Sequence, residues 1–147
     1  MGFEREDWVR IRSQFAYVNA NTAVLSAANA LQNLMLPAMY HKIGEVDEIW
    51  AKAQQLLDDI DAGDDPHLLP AYLTKEQRYK IAFARALMLD PHVLLLDSPF
   101  SALNFSSTDH FKQFLINKTR NPHSPPKEAP HELKSELKHH AQVVFNS

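Results

Sequence analysis

Asp97 closes the run Val93-Leu94-Leu95-Leu96 and is followed by Ser98-Pro99. An apolar stretch that ends on a carboxylate reads as a strand presenting a hard oxygen ligand at the carboxyl edge of a sheet. Mg²⁺ takes such ligands, usually one carboxylate together with phosphate oxygens. The plainer alternative is an aspartate that caps the turn before Pro99. Upstream, Thr74 and Gln77 have the spacing of a capping box, a hydroxyl at the cap and an amide side chain three residues on. Lys75 stands between them, at a helix start where it could meet an anion or simply be solvated.

Several elements must hold these residues. Thr74 to Met88 reads as a helix with Ile81, Ala84, Leu87 and Met88 on its apolar face, stopped by Asp90-Pro91. Val93 to Leu96 is apolar at every position, as in a parallel strand buried on both faces. Glu45 to about Asp61 reads as a second amphipathic helix. Val46, Ile49, Trp50, Ala53, Leu56, Leu57 and Ile60 recur at helical spacing, Trp50 is assigned to the core, and Gly63 is placed as the C-terminal cap.

Phe15-Ala16-Tyr17-Val18 reads as a buried strand with Val9 to Arg12 leading into it. Asn19 to Ala30 is mostly loop, and Leu31 to Tyr40 is an apolar segment ending near Pro37. A further helix is expected over Ser107 to Asn117 and a strand over Gln142 to Phe145. Residues 121–131 hold Pro122, Pro125, Pro126 and Pro130 and read as a loop, followed by a short polar helix over Glu132 to His139.

At 147 residues the expectation is one domain. A net charge of -3 gives no argument for a nucleic-acid partner or for an anionic membrane surface. The chain has no cysteine, which excludes disulfides and thiolate metal sites. Its eight histidines are scattered, and none pair one helical turn apart as zinc ligands would. The first residues are acidic, unlike a signal peptide, and no apolar run reaches the roughly 20 residues that span a bilayer.

Taken in order, these pieces resemble an ABC-transporter ATPase domain. Leu73-Thr74-Lys75-Glu76-Gln77 stands at the family's LSGGQ signature, and Arg78 to Leu87, with its Ala-Arg-Ala-Leu run, at the helix behind it. Asp90 to Asp97 resembles the lead-in and Walker B strand, Ser98-Pro99-Phe100 the catalytic-glutamate segment, and Ser101-Ala102-Leu103-Asn104 the D-loop. Phe15 to Val18 resembles the strand before the Q-loop, with Ala20 at the glutamine, and Leu31-Gln32-Asn33-Leu34 lies near the usual Glu-Asn-Val.

The resemblance implies an α/β chain: a partial P-loop-type core with a small, partly parallel sheet, plus an ABC-type helical subdomain over about 21–90, with 1–20 and 91–147 supplying the core. It implies ATP and Mg²⁺, with Asp97 as the metal-type residue, Thr74 and Gln77 at the degenerate signature and Asn104 at the D-loop position as nucleotide-facing residues. The departures point the other way. The three glycines, Gly2, Gly44 and Gly63, form no phosphate-binding loop. Glu76 replaces a signature glycine with a negative charge expected to face a phosphate, and Ser98 stands at the catalytic position in place of a carboxylate.

The resulting expectation is a degenerate cassette subunit, weak or inactive toward ATP on its own and apparently truncated. It would be cytoplasmic, and peripheral to the inner membrane through a permease or a second ABC ATPase subunit. The Leu34–His41 stretch resembles lipid-trafficking bacterial members. The chain is expected to be an oligomer or a subunit, because a sheet lacking its phosphate-loop strand exposes an edge. A small α/β interaction protein or truncated remnant with no transport role is the alternative.

Overall fold

The computed structural model describes residues 4–120 and 142–146, with side chains over 4–118 apart from Val9 and Ser13. The proline-rich segment 121–131 and the helix expected over 132–139 lie outside the described residues. Helix α1 (Arg5–Ser13) leads into β1 (Phe15–Asn19), and helices α2 (Ala30–Tyr40) and α3 (Val46–Asp59) follow. A 3-10 turn (Pro70–Tyr72) precedes α4 (Lys75–Leu87), β2 (Val93–Asp97), α5 (Phe105–Arg120) and β3 (Gln142–Asn146).

The three strands form one sheet in the order β1-β2-β3, and both pairings are parallel. Val93–Leu96 therefore takes the central place between Phe15–Val18 and Val143–Phe145, as expected. The register aligns Asn19, Asp97 and Asn146 at the carboxyl edge, where polar side chains can end a buried sheet. One face, with Val18, Leu94 and Leu96, is buried against the helices. The other exposes Phe15, Tyr17 and Leu95, the last at 36%. Strand β1 was expected to be buried and β2 to be covered on both faces. Strand β1 instead alternates, and β2 is buried at Val93, Leu94 and Leu96 but opens at Leu95.

Phe83 of α4 meets Phe111 of α5 edge-on at 4.5 Å, and Tyr79 and Phe100 flank Phe111 at 6.0 and 6.3 Å. This aromatic cluster joins the helical layer to the loop after β2. Leu34, Ala38, Ala53, Leu56 and Ile60 extend the core between α2, α3 and α4.

Four sequence expectations are corrected. Residues 9–12 are helical, part of α1, whose first turn is closed by a Glu4–Asp7 capping box made of two acids. The segment ending at Tyr40 is a helix that runs through Pro37, whose ring removes one backbone hydrogen bond and crowds the carbonyl four residues back, a cost the packing of α2 has to offset. Trp50 is 49% exposed and Val46 57%. The buried stripe of α3 is Ile49, Ala53, Leu56 and Leu57, narrower than the apolar set. Helix α3 is capped at Ile60, and the left-handed residue behind it is Asp61 at φ 52° rather than Gly63.

Gly63 nevertheless occupies a position that only glycine tolerates easily. Its φ is +119°, and an added Cβ would lie 2.7 Å from Gln77 Nε2. Gly63→Ala is expected to lower stability by about 2 kcal/mol, from backbone strain and displacement of the Gln77 side chain. Urea unfolding measures it, and a loss below about 0.5 kcal/mol would show that the loop simply relaxes.

Candidate functional site

The capping box on α4 forms as its spacing predicts. Thr74 Oγ1 accepts from Gln77 N at 3.1 Å, and Gln77 Oε1 accepts from Thr74 N at 2.9 Å. Both residues act on the helix start itself, which is what a structural cap does. Lys75 and Tyr72 beside them are exposed.

Glu76 departs from expectation. It does not project outward. Its Oε2 accepts from Asn104 N at 3.0 Å, and its Oε1 accepts from Ser107 Oγ and pairs with Lys80 Nζ at 3.1 Å. Lys80, 3% exposed, also donates to the Asp61 carbonyl at 2.9 Å. Burial pushes the Glu76 pKa up, but the hydrogen bonds from Ser107, Asn104 and Lys80, with the Lys80 charge, outweigh it and hold the carboxyl below the usual range. The reason is proximity: Asn104 caps the start of α5 through Ser107 N at 2.9 Å, and those donors lie within reach of α4. Sequence reasoning missed this latch, since the partners are separated by 28 and 31 residues. Asn104 thus stands beside the start of α4, so the structure brings two expected site segments together.

At the sheet's carboxyl edge, Asp97 Oδ2 accepts from Tyr17 Oη at 3.3 Å and Oδ1 from Ser98 Oγ at 3.2 Å. Asn19 Nδ2 donates to Tyr17 Oη at 3.3 Å. Ser98 has φ +49°, a left-handed conformation that costs energy in a non-glycine residue. Its carbonyl accepts from Ser101 N and Oγ, at 3.1 and 2.9 Å, which fixes the turn. Such an outlier at the end of a sheet is a frequent mark of a functional edge. Among the described residues no cluster of three or more acids or histidines could hold a metal ion.

Two recesses flank this region. One, about 590 Å³, lies between α2, α4, β1 and the loop after β1, lined by Leu25, Leu36, Pro37, Tyr40, Arg85 and Leu89 among others. Arg85 fixes its loop wall, donating to the Ala23 carbonyl at 2.7 Å and to Asn33 Oδ1 at 3.3 Å, and its burial lowers its pKa. The other, about 480 Å³, lies between the loop after β1 and the start of α4.

Residues 2–101 match the family model described as ABC transporter. The chain belongs to the ABC transporter ATP-binding family. Among its relatives is a macrolide export ATP-binding/permease protein, MacB, of Azoarcus sp., 32% identical over 78% of this chain and 17% of the relative. Another is a methionine import ATP-binding protein, MetN, of Legionella pneumophila, 31% identical over 74% of this chain and 32% of the relative. The cassette MJ0796, solved as a post-hydrolysis dimer with ADP and phosphate, superposes with a TM-score of 0.71 at 21% identity, over 99% of this chain and 57% of that one. The cbiO1 cassette of Clostridium perfringens gives 0.70 at 19% over 99% and 51%. These structural likenesses show the fold. The chain spans a third or less of the length of these curated relatives, and just over half of the solved cassettes.

ATP and Mg²⁺ are the family's ligands, and the residues present fit them in part. Asp97 is a carboxylate at the sheet's carboxyl edge, the kind of hard oxygen ligand Mg²⁺ takes. The glycines do not supply a phosphate cradle: Gly44 sits before the acidic first turn of α3 and Gly63 packs on Gln77. No helix among the described residues is long and apolar enough to cross a membrane.

Proposed function

We propose that this chain is a cassette component of a membrane transporter that works by docking, not by turning over ATP alone. One observation carries the docking reading. The recess between α2 and α4 is largely apolar and rimmed by exposed Leu25, Leu36 and Tyr40 at 52, 41 and 82%. Exposed apolar residues grouped around a groove are the usual mark of an interface. Its occupant is a permease segment, as fits a chain whose MacB relatives carry permease in their names. Ser98 at the catalytic position supports weak nucleotide handling, and Mg²⁺, when bound, would offset phosphate charge at Asp97. Macrolide, methionine and spermidine/putrescine names among the relatives lend the lipid-trafficking assignment no support.

The test is co-purification with a transporter permease subunit co-expressed with the chain. Leu36→Asp and Tyr40→Asp are expected to lower recovery at least tenfold, since burying an unpaired carboxylate in an apolar contact costs more than 1.4 kcal/mol. Both side chains are exposed, so the circular-dichroism spectrum should not change. Met35, half-buried against the core, is unsuitable for this purpose. Undiminished recovery of both variants would refute the docking surface.

A further inference from the structure

The hairpin of α2 and α3 carries apolar side chains that line neither recess. Met39 near the end of α2, Ile43 in the turn, and Val46 and Trp50 on α3 are exposed at 46, 48, 57 and 49%. Val46 and Trp50 stand one helical turn apart and share a face of α3. They lie on the flank of its buried stripe, so the core reaches their neighbours Ile49 and Ala53 and leaves them in water.

The charge around these side chains is one-sided. Residues 43–65 hold eight acids against one base, Lys52, which is nearly half of the chain's 18 acids. Lys52 is committed to Asp90, at 2.5 Å, and to the Met88 carbonyl at 2.9 Å. Glu45 and Glu48 close the capping box of α3, where acids suit the positive end of a helix. Asp58 and Asp59 have no such role. They stand in the last turn, which contains no basic residue and where the macrodipole disfavours a negative charge. Asp47 and Asp58 are both exposed, and neither has a hydrogen-bond or ion-pair partner among the described residues. Their spacing is three helical turns, roughly 16 Å along one side of α3. Trp50 falls between them.

We propose that this flank docks a cationic amphipathic helix of a partner protein, its lysines or arginines on Asp47 and Asp58 and its apolar stripe on Val46 and Trp50. Charge complementarity selects this occupant. An anionic bilayer would be repelled, and a second copy of the chain would set the same acids against each other. A basic partner instead supplies the positive charge that the last turn of α3 lacks. One of its cations can also lie over the Trp50 indole, the ring that attracts a cation best. The surface is separate from the recess assigned to the permease.

The experiment titrates the full 147-residue chain into a dye-labelled two-heptad peptide of leucine and lysine in amphipathic helical order and reads fluorescence anisotropy. The same peptide with glutamate at every lysine is the control. The lysine peptide should bind saturably and more weakly as salt rises, and the glutamate peptide should not bind. Trp50→Ala should weaken binding about tenfold, as loss of an aromatic anchor does. Asp47→Asn combined with Asp58→Asn should weaken it about fivefold, the usual worth of two exposed ion pairs. All three side chains are exposed, so neither variant should melt below the parent. Leu36→Asp, in the apolar recess, should bind the peptide as the parent does, so a failure of permease docking and a failure of this surface are told apart. Equal binding by the parent and both variants, or binding of the glutamate peptide, would overturn the site. So would a dimer in sedimentation equilibrium that Trp50→Ala dissolves, which assigns the flank to a second copy, or Trp50-dependent binding to phosphatidylglycerol vesicles, which assigns it to a membrane.

Discussion

Glu76→Ala is expected to cost about 3 kcal/mol of folding stability, far more than an exposed glutamate on a helix would. The substitution leaves Lys80, 3% exposed, with only the Asp61 carbonyl and the Ser107 hydroxyl as partners, and it strips Asn104 N of its acceptor. A buried ammonium robbed of its carboxylate is the expensive case; the pair's own net worth is small by comparison. Glu76→Gln keeps the shape and the acceptor oxygen but not the charge, so it should fall between the parent and alanine. The pH dependence follows from the lowered carboxyl. Its unfolded counterpart titrates near roughly 4.3, so the stabilisation is complete above that pH and is lost as the pH falls through the lower folded value. Parent and Glu76→Gln curves of stability against pH should therefore converge on acidification. Parallel curves, or a loss under about 1 kcal/mol for the alanine variant, would show that the latch does not bear on stability.

The legible parts of this fold are those whose signals are local. Thr74 and Gln77 announce α4 because a capping box is a contact between residues three apart. Four consecutive apolar residues closed by Asp97 announce β2, and the parallel order follows because helices intervene between strands. Helix α1 escaped because its cap is Glu4 rather than a hydroxyl or amide residue, and its residues are mostly charged, so Val9 to Arg12 read only as the lead-in to β1. Trp50 misled because periodicity says which side of α3 is apolar, not how wide a strip its neighbours cover. Glu76 misled most. Its signature-like position pointed outward, whereas its donors come from the start of α5, and no spacing rule connects them. The same limit hid Arg85 and Asn33 as the posts that hold the loop after β1, since both act across the fold.

Asn33→Ala should be the most damaging polar substitution in the helical layer, at about 4 kcal/mol. Asn33 is fully buried, and its side chain organises the loop after β1. Oδ1 accepts from Leu25 N at 2.8 Å and from Arg85 at 3.3 Å; Nδ2 donates to the carbonyls of Leu25, Ala28 and Asn29 at 3.1, 2.9 and 3.0 Å. Removing it leaves the Leu25 N–H and the Leu25, Ala28 and Asn29 carbonyls without this partner, and a group so orphaned costs about 1–3 kcal/mol where water cannot replace the bond. Arg85 loses one of its two acceptors in the same step, and its half-buried charge then rests on the Ala23 carbonyl alone. The damage should therefore be local before it is global. Amide exchange at Leu25 should lose protection while the core of α4, around Ile81 and Phe83, keeps it. Because this loop walls the apolar recess, permease recovery should fall with it, at temperatures where α4 is still protected. A variant that loses less than about 1 kcal/mol and leaves Leu25 protected would mean that the loop is held by its own turns, Thr22 N on the Asn19 carbonyl and Ala28 N on the Leu25 carbonyl, and not by Asn33.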